Sequence, residues 1–445
     1  MLGKKEKGND LFTFGTEERI SAAISEELVL LGTLRGKVNV GDEVLLINPR
    51  SLSGTEKVNA KVAGIEIGLG NSADTAEDGI VVLKLRGAGD FVAKPGTVCY
   101  SKKASETEVY DAYINALGNA YISNKKFEMT RDEYKEMSLG DCVEVWRIFF
   151  NLRMQFLKEE SEEAKKETTE KLAKMAAAVA EKLMMTEEEL YCVYNKASDK
   201  PFLFAEVGRR KDRTVSTPPK ILLFTKPYEA EMKKKYGSGK YLIKKIEKGT
   251  DRKGILEFFA EAFYIDGAVG ANVVYSQTAV TAQMVVAPPD LSNVDPGRRP
   301  VTNPETVRWL TMLSQAGVPE NDEEKAAYSM YYAFLISSIM DATLIVPVKK
   351  DEKAGSVVSD ASDLIMPMLD MHKDRLSLCV FTDWKKALEK YPGWGSMQMT
   401  LADIIEHNDV VLNMDRNDNI GMYIDKARYE QMKQSYEAMK KDKQQ

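Results

Sequence analysis

The residues that come nearest to a known chemical motif are GSGK at 237–240. In a P-loop, a glycine-rich turn at the start of a helix surrounds nucleotide phosphates with backbone N–H groups, and a lysine and a Ser or Thr complete the site. Here a lysine stands where the first glycine is required, and Tyr241 stands where the Ser or Thr is required. The segment also follows a predicted helix. We therefore expect a helix C-terminal turn with a left-handed glycine, and no nucleotide bound through Lys240.

A second motif, DRNDNIG at 415–421, imitates a calcium-binding loop. Asp415, Asn417 and Asn419 alternate as oxygen ligands do in such loops. The glycine comes one residue late, however, and Lys426 takes the place of the bidentate glutamate. We expect a hairpin turn between two strands.

Few other side chains suit catalysis or metal binding. The two histidines, His372 and His407, lie in no HExxH motif and near no Cys/His set. Carboxylates are abundant, but the sequence alone does not pair them for acid–base work. The prediction is a non-enzymatic protein with no catalytic residue, no cofactor and no metal site.

One basic segment, 226–253, is a candidate binding patch. Ten Lys or Arg residues face four Asp or Glu residues there, and tyrosines are interleaved with them. Such a mixture suits RNA, whose phosphates bind cations and whose bases stack on aromatic rings. The favoured interpretation is the solvated face of a helix and a strand. The candidate patch residues are Lys226, Tyr228, Lys233, Lys234, Lys235, Tyr236, Lys240, Tyr241, Lys244 and Lys245.

The elements that position these residues belong to several domains. A chain of 445 residues, 44% hydrophobic and 29% charged, predicts two to four soluble globular domains. The net charge of −6 disfavours a general nucleic-acid binder. The longest apolar run, Ala326–Met340, is too short for a membrane span and predicts a buried helix. Four scattered cysteines without CxxC pairs indicate reduced thiols, so we expect a cytoplasmic protein.

Residues 1–104 predict an all-β barrel. Short strands alternate with Gly-bearing turns, and closure into a barrel removes exposed strand edges. The pattern Gly-x-Leu-x-Gly-x-Val-x-Val-Gly-Asp-x-Val over 32–44, with Ile65, Ala76 and Gly79 after it, resembles domain two of elongation factor Tu and related translational GTPases. In that family the glycines allow positive φ or close strand crossings. No GxxxxGK[ST] motif occurs in this sequence, so we expect no GTP hydrolysis by it.

Residues 105–167 predict a helical connector, with Ser105 as the N-cap of its first helix. The remainder contains an α+β unit twice, at 168–291 and 304–445, joined by a Pro-rich linker at 292–303. "ILLFTKPYEAEMKKKYGSG" at 221–239 aligns with "LCVFTDWKKALEKYPGWGS" at 378–396. The alignment matches Phe224-Thr225 with Phe381-Thr382, Tyr236 with Tyr391, and Gly239 with Gly395.

This repeated unit resembles the amino-terminal domain of the enhanced serine sensitivity protein (SseB) family. The second copy carries the resemblance through "TLIVPV", "LCVFTDWKKALEKY" and "VVLNMDRNDNIGMYI", whereas the first lacks the Val-Pro dipeptide and has longer inserts. The resemblance implies a fold and no defined reaction.

The predicted fold class is a multidomain protein with an N-terminal all-β barrel, a helical connector and two tandem α+β domains with mixed or antiparallel sheets. The predicted function is non-enzymatic binding of a macromolecule, in the first place a protein. The alternative is an RNA- or ribosome-associated factor that acts through the barrel and the 226–253 segment.

Overall fold

The computed structural model describes residues 10–20, 27–49, 57–68, 70–123, 137–156, 161–210, 213–273, 280–351, 363–372, 375–413 and 420–442. The chain divides into two compact units that are interleaved in sequence. Unit one comprises Met1–Leu190, Phe224–Glu231 and Val273–Val280. Unit two comprises Tyr191–Leu223, Met232–Asn272 and Thr281–Gln445.

The N-terminal part of unit one is an antiparallel barrel. Its strands are β1 (Phe12–Ile20), β2 (Glu27–Asn39), β3 (Glu43–Ile47), β4 (Val58–Ile67), β5 (Asn71–Ala73), β6 (Thr75–Arg86) and β7 (Val98–Tyr100). The order is β3-β7-β1-β2-β6-β4, and β3 pairs in turn with β4, so six strands close on themselves. The short strand β5 pairs antiparallel with the end of β4. Inward-facing Phe14, Leu30 and Leu83 are fully buried in the barrel core. The predicted barrel is confirmed.

Two glycines show why the barrel pattern needs them. A Cβ on Gly32 would lie 2.0 Å from the carbonyl oxygen of Gly15, so β1 and β2 approach closely only without a side chain there. Gly41 has a φ of +96°, and the N–H of Asp42 donates to the carbonyl of Asn39 at 3.1 Å. The Gly-Asp pair therefore lies in the predicted tight turn.

Three α-helices and a short π-helical segment, Asn119–Ser123, complete the described N-terminal region of unit one. The α-helices are α1 (Glu106–Gly118), α2 (Leu139–Phe156) and α3 (Glu162–Met185). Ser105 caps α1 as predicted, since the Glu108 N–H donates to its Oγ and its own N–H donates to the Glu108 carboxylate. Helix α1 packs directly on the barrel, because a Cβ on Gly15 would come within 2.5 Å of the carbonyl oxygen of Ala112.

The first α+β segment follows, and most of its residues belong to unit two. Its strands are β8 (Leu190–Asn195), β9 (Lys200–Pro201), β10 (Leu203–Phe204), β11 (Val207–Arg210), β12 (Arg213–Ser216), β13 (Lys220–Thr225), β14 (Tyr241–Lys245), β15 (Gly270–Val273) and β16 (Val280–Thr281). Its helices are α4 (Glu229–Tyr236), α5 (Lys253–Tyr264) and α6 (Ala282–Val285). The sheet order is β14-β8-β13-β15-β16, with β9 on β8 and β10 on β13, and β11 pairs with β12.

The second α+β segment lies within unit two. It begins with helices α7 (Pro304–Ala316) and α8 (Asp322–Met340). Its strands are β17 (Thr343–Lys350), β18 (Leu364–Ile365), β19 (Met368–His372), β20 (Arg375–Val380), β21 (Gly395–Thr400), β22 (Asp409–Leu412) and β23 (Met422–Ile424). Its later helices are α9 (Trp384–Lys390), α10 (Leu401–Ile405) and α11 (Lys426–Asp442).

The strands of this segment form a three-stranded sheet in the order β18-β17-β21 and a four-stranded sheet in the order β19-β20-β22-β23. Ile345 of β17 and Phe381, which follows β20, exchange two backbone hydrogen bonds of 2.9 Å each. Strands β20 and β22 are parallel, whereas the other strand pairs are antiparallel. The four-stranded sheet is therefore mixed.

The coarser part of the predicted fold class is confirmed: an N-terminal barrel is followed by helices and several small sheets. The apolar run Ala326–Met340 lies in α8, which buries one face. Among the helices of the described chain, none is both long and apolar enough to span a bilayer. Most of the DRNDNIG motif, residues 415–419, lies outside the described residues.

Candidate binding groove

The GSGK segment occupies the predicted position at the end of a helix. Helix α4 ends at Tyr236, Gly239 has a φ of +68°, and β14 begins at Tyr241. The Lys240 ammonium donates to the main-chain carbonyl of Gln315 at 3.0 Å. A helix C-terminus presents unpaired carbonyl groups and the negative end of the helix dipole, so it does not favour binding of a phosphate.

In unit one, the candidate patch contains Lys226 and Tyr228. The side chain of Tyr228 is only 2% exposed, and its hydroxyl donates to Glu144 Oε1 at 3.3 Å. The Lys226 ammonium lies 2.5 Å from the Glu229 carboxylate. The Tyr228 ring is therefore packed inside unit one and is not available for stacking on a base.

In unit two, Tyr236 is likewise buried, at 6% exposure, and its ring meets that of Tyr241 edge to face at 5.2 Å. The Lys244 ammonium pairs with Asp199 at 2.6 Å and lies over the ring of Tyr194. The exposed lysines are Lys233, Lys234 and Lys235 in the last turn of α4, Lys240, and Lys245. The sequence did contain a signal that these rings are buried: Tyr228, Met232 and Tyr236 recur at four-residue intervals, which is the spacing of one helix face.

A different feature, an open apolar groove of about 140 Å³, lies in the second α+β segment. Helix α9 forms one wall, and β17 and the start of β21 form the floor. Trp384 is 40% exposed and Leu388 is 48% exposed, although both are large apolar residues. The lining residues are Ile345, Pro347, Trp384, Ala387, Leu388, Tyr391, Trp394, Gly395 and Ser396. We refer to this feature as the α9 groove.

The wall of the α9 groove is fixed by a buried polar cap. Helix α9 begins at Trp384 because Asp383 accepts the N–H of Lys386 at 2.9 Å. Asp383 is fully buried, and its other oxygen accepts the Thr382 hydroxyl at 3.0 Å. Asn413 donates to the same hydroxyl at 2.8 Å. Trp384 and Leu388, four residues apart, then lie on one face of the helix.

The floor of the α9 groove is aromatic and aliphatic. Ile345 and Pro347 are two residues apart on β17 and therefore face the same side of the sheet. The Tyr391 ring contacts Phe381 at 5.9 Å and Trp394 at 5.0 Å between ring centres. Burial raises the pKa of Tyr391 to about 12, assisted by Cys379, so the phenol is uncharged at neutral pH.

A charge cluster holds α9 from outside the groove. The Lys385 ammonium lies 2.5 Å from one Glu261 oxygen, and Lys200 lies 3.2 Å from the other. Lys200 also lies 3.0 Å from Asp266. Burial acts to raise the pKa of Glu261, but Lys385 and Lys200 outweigh it and lower that pKa. Glu261 is therefore an ionised anchor for the helix that carries Trp384.

The sequence interpretation did not single out the α9 groove. The available signal was aromatic density, since two of the four tryptophans, Trp384 and Trp394, lie within eleven residues of 384–394. The structure brings them together with Leu388, whereas the predicted patch residues are divided between the two units. For the described residues, no group of three or more His, Cys, Asp or Glu side chains is placed to hold a metal ion. All four cysteines are buried.

Comparisons with known proteins leave the chain without a family. No protein-family model and no curated protein matches it. Among solved structures, translation elongation factor SelB from Methanococcus maripaludis, in its apo form, is 23% identical over 21% of this chain and 19% of that chain, with a TM-score of 0.17. The match thus spans about a fifth of that protein and supports no functional statement about this chain. The resemblance to SseB stays a prediction.

Proposed function

We propose that this chain is a non-enzymatic protein-binding module and that the α9 groove is its site for a partner's peptide. The observation that carries the proposal is the exposure of Trp384 and Leu388 over an apolar floor. Exposed apolar surface of this kind is characteristic of interaction sites, and tryptophan is enriched among residues that dominate binding energy.

We also propose that residues 168–291 and 304–445 are two copies of one SseB-like unit. In support, the strand order β14-β8-β13-β15-β16 corresponds to β21-β17-β20-β22-β23, with the Ile345–Phe381 pair joining β17 to the β20 strand. The side strands correspond as well, β9 to β18 and β10 to β19. Phe224 lies in β13, and Phe381 directly follows β20.

An RNA-associated role was the alternative. It is disfavoured because Tyr228 and Tyr236 are buried, which removes two of the three rings that stacking would use. The acidic balance of the chain opposes it too. The cytoplasm, where the four buried cysteines stay reduced, is the proposed location.

Selection of displayed random peptides on the immobilised full chain tests the peptide-binding proposal. Peptides enriched on the wild type are then titrated by calorimetry against Trp384→Ala, with Val318→Ala as the matched control, since Val318 is 88% exposed and lies outside the groove. We expect affinity to fall at least about tenfold in Trp384→Ala and to stay unchanged in Val318→Ala. Failure to enrich any peptide, or equal affinity in both variants, would overturn the proposal.

A further inference from the structure

We propose that the α9 groove takes an acidic peptide in extended conformation, which adds as a strand to the edge of β21 and places a large apolar side chain between Trp384 and the groove floor. This inference rests on the proposed peptide-binding function and specifies its ligand. Three independent observations carry it: the position of β21 in its sheet, the composition of β21, and the charge of the elements around the groove.

Strand β21 lies at the end of the order β18-β17-β21. All six of its residues pair with β17, which leaves its opposite side as the edge of the sheet within the described chain. Such an edge presents backbone N–H and C=O groups that a further strand can pair with.

The composition of β21, Gly-Ser-Met-Gln-Met-Thr, contains no charged residue and no proline. Proteins usually protect an exposed edge with lysine, proline or a bulge, because an unprotected edge pairs with other chains. The corresponding edge strand in the first α+β segment, β14, is protected by Lys244 and Lys245. An unprotected edge directly beside an open apolar groove is typical of a strand-addition site.

The register of β21 aims an added strand at the groove. Ser396 pairs with Pro347, and both line the groove, so the face that they share points toward α9. A peptide residue opposite Ser396 would present its side chain on the same face, because paired residues of neighbouring strands project to one side. The small residues Gly395 and Ser396 leave that entrance open.

Within the three elements that line the groove, lysines outnumber acidic residues, although the chain as a whole has a net charge of −6. Strand β17, helix α9 and β21 carry one glutamate, Glu389, against five lysines: Lys349, Lys350, Lys385, Lys386 and Lys390. Lys385 is engaged by Glu261, which holds the helix. Complementary charge steers the encounter and selects among partners, so acidic residues beside the apolar anchor are expected in the ligand.

The test uses the full chain and a fluorescein-labelled peptide, Asp-Glu-Val-Leu-Val-Asp-Glu, followed by fluorescence anisotropy. Two further peptides carry N-methyl groups on alternate sets of backbone nitrogens. In an added strand, alternate N–H groups face β21 and the solvent. We therefore expect one N-methylated set to weaken binding at least about tenfold and the other set to bind like the parent peptide. A peptide with lysine in place of every acidic residue should bind at least about tenfold more weakly.

The outcomes separate this inference from the function on which it rests. If Leu388→Ala and Trp384→Ala weaken binding but both N-methylated peptides behave alike, the groove binds peptides and strand addition is wrong. Equal binding of the acidic and the lysine peptide would overturn the charge preference. If no peptide binds, or if neither Leu388→Ala nor Trp384→Ala changes the affinity, the proposed function itself is wrong. A peptide site would also be contradicted if single-stranded RNA displaced the peptide and its own binding were weakened by Trp384→Ala and Leu388→Ala.

Discussion

The two α+β segments each place a helix after an inner strand of a sheet, β13 or β20, but the two helices differ in which side chains they bury. In the first segment the polypeptide after β13 buries Tyr228, Met232 and Tyr236, whereas in the second, α9 leaves Trp384 and Leu388 exposed. Counting back four residues from the matched Tyr236 and Tyr391 brings Met232 opposite Ala387. A long buried side chain in one segment thus corresponds to a methyl group at the groove in the other. Under the proposed duplication, the size of a few side chains would thus decide whether a copy has a closed or an open helix face.

The largest expected effect is on stability and is confined to the first segment. Tyr228→Ala should lower the free energy of unfolding by about 3–5 kcal/mol, because it removes a buried ring and leaves a cavity. Leu388→Ala, in the open helix, should cost less than about 1 kcal/mol, as at other exposed positions. Denaturant titration of the two variants gives both values, and equal losses would remove the distinction between closed and open faces.

The next largest expected effect is on binding. It is tested by exchanging the side chains of the aligned positions Met232 and Ala387. Ala387→Met should fill the α9 groove and lower the affinity for a selected peptide at least about tenfold, since the methionine occupies the space of the ligand's anchor. Met232→Ala, the reverse change in the first segment, should cost about 2–5 kcal/mol of stability and leave affinity unchanged. Calorimetric titration measures the first effect and thermal unfolding the second. Unchanged affinity in Ala387→Met would contradict the location of the site.

A smaller, pH-dependent effect distinguishes the carboxylates that precede β8 and β17. Glu188 is 4% exposed, and among the described residues its Oε2 has no hydrogen-bond partner. Burial raises the pKa of Glu188, although the Leu139 N–H, Lys94 and Lys182 oppose the shift. With the folded-state pKa above the unfolded value of about 4.3, Glu188 contributes stability at low pH that is lost as pH rises through the folded-state pKa.

Glu188→Gln should therefore stabilise the protein at about pH 8 and have little effect at about pH 4, as a series of melting temperatures would measure. Asp341 lies two residues before β17, as Glu188 lies two residues before β8, and is exposed. Asp341→Asn, which removes an exposed carboxylate, is the matched control. A Glu188→Gln variant that is less stable than the wild type at both pH values would refute the assignment of burial as the cause.

The smallest expected effect is at Lys240. Its ammonium makes a hydrogen bond to the Gln315 carbonyl at an exposed turn, so Lys240→Ala should change stability by no more than about 0.5 kcal/mol. Titration of the wild type with Mg-ATP or Mg-GTP should show no saturable heat. Micromolar nucleotide affinity that disappears in Lys240→Ala would restore the P-loop interpretation.

The parts of the fold that the sequence predicted are those set by local chemistry. The barrel follows from alternating residues and from positions such as Gly41, where a turn needs positive φ, and the cap at Ser105 follows from a four-residue pattern. The groove does not follow in this way. Tyr228, Met232 and Tyr236 recur at the same four-residue spacing as Trp384 and Leu388, and only tertiary packing decides which set is covered.

The most direct test of the account observes the four tryptophans together. The full chain is labelled with 5-fluorotryptophan, its ¹⁹F signals are assigned through single Trp→Phe variants, and the acidic peptide Asp-Glu-Val-Leu-Val-Asp-Glu is added. Trp384 and Trp394 line the groove, whereas Trp146 and Trp309 are buried elsewhere. We predict saturable shifts of the Trp384 and Trp394 signals while those of Trp146 and Trp309 stay in place. Saturable binding that leaves Trp384 and Trp394 unmoved, or no binding at all, would contradict the α9 groove as the binding site.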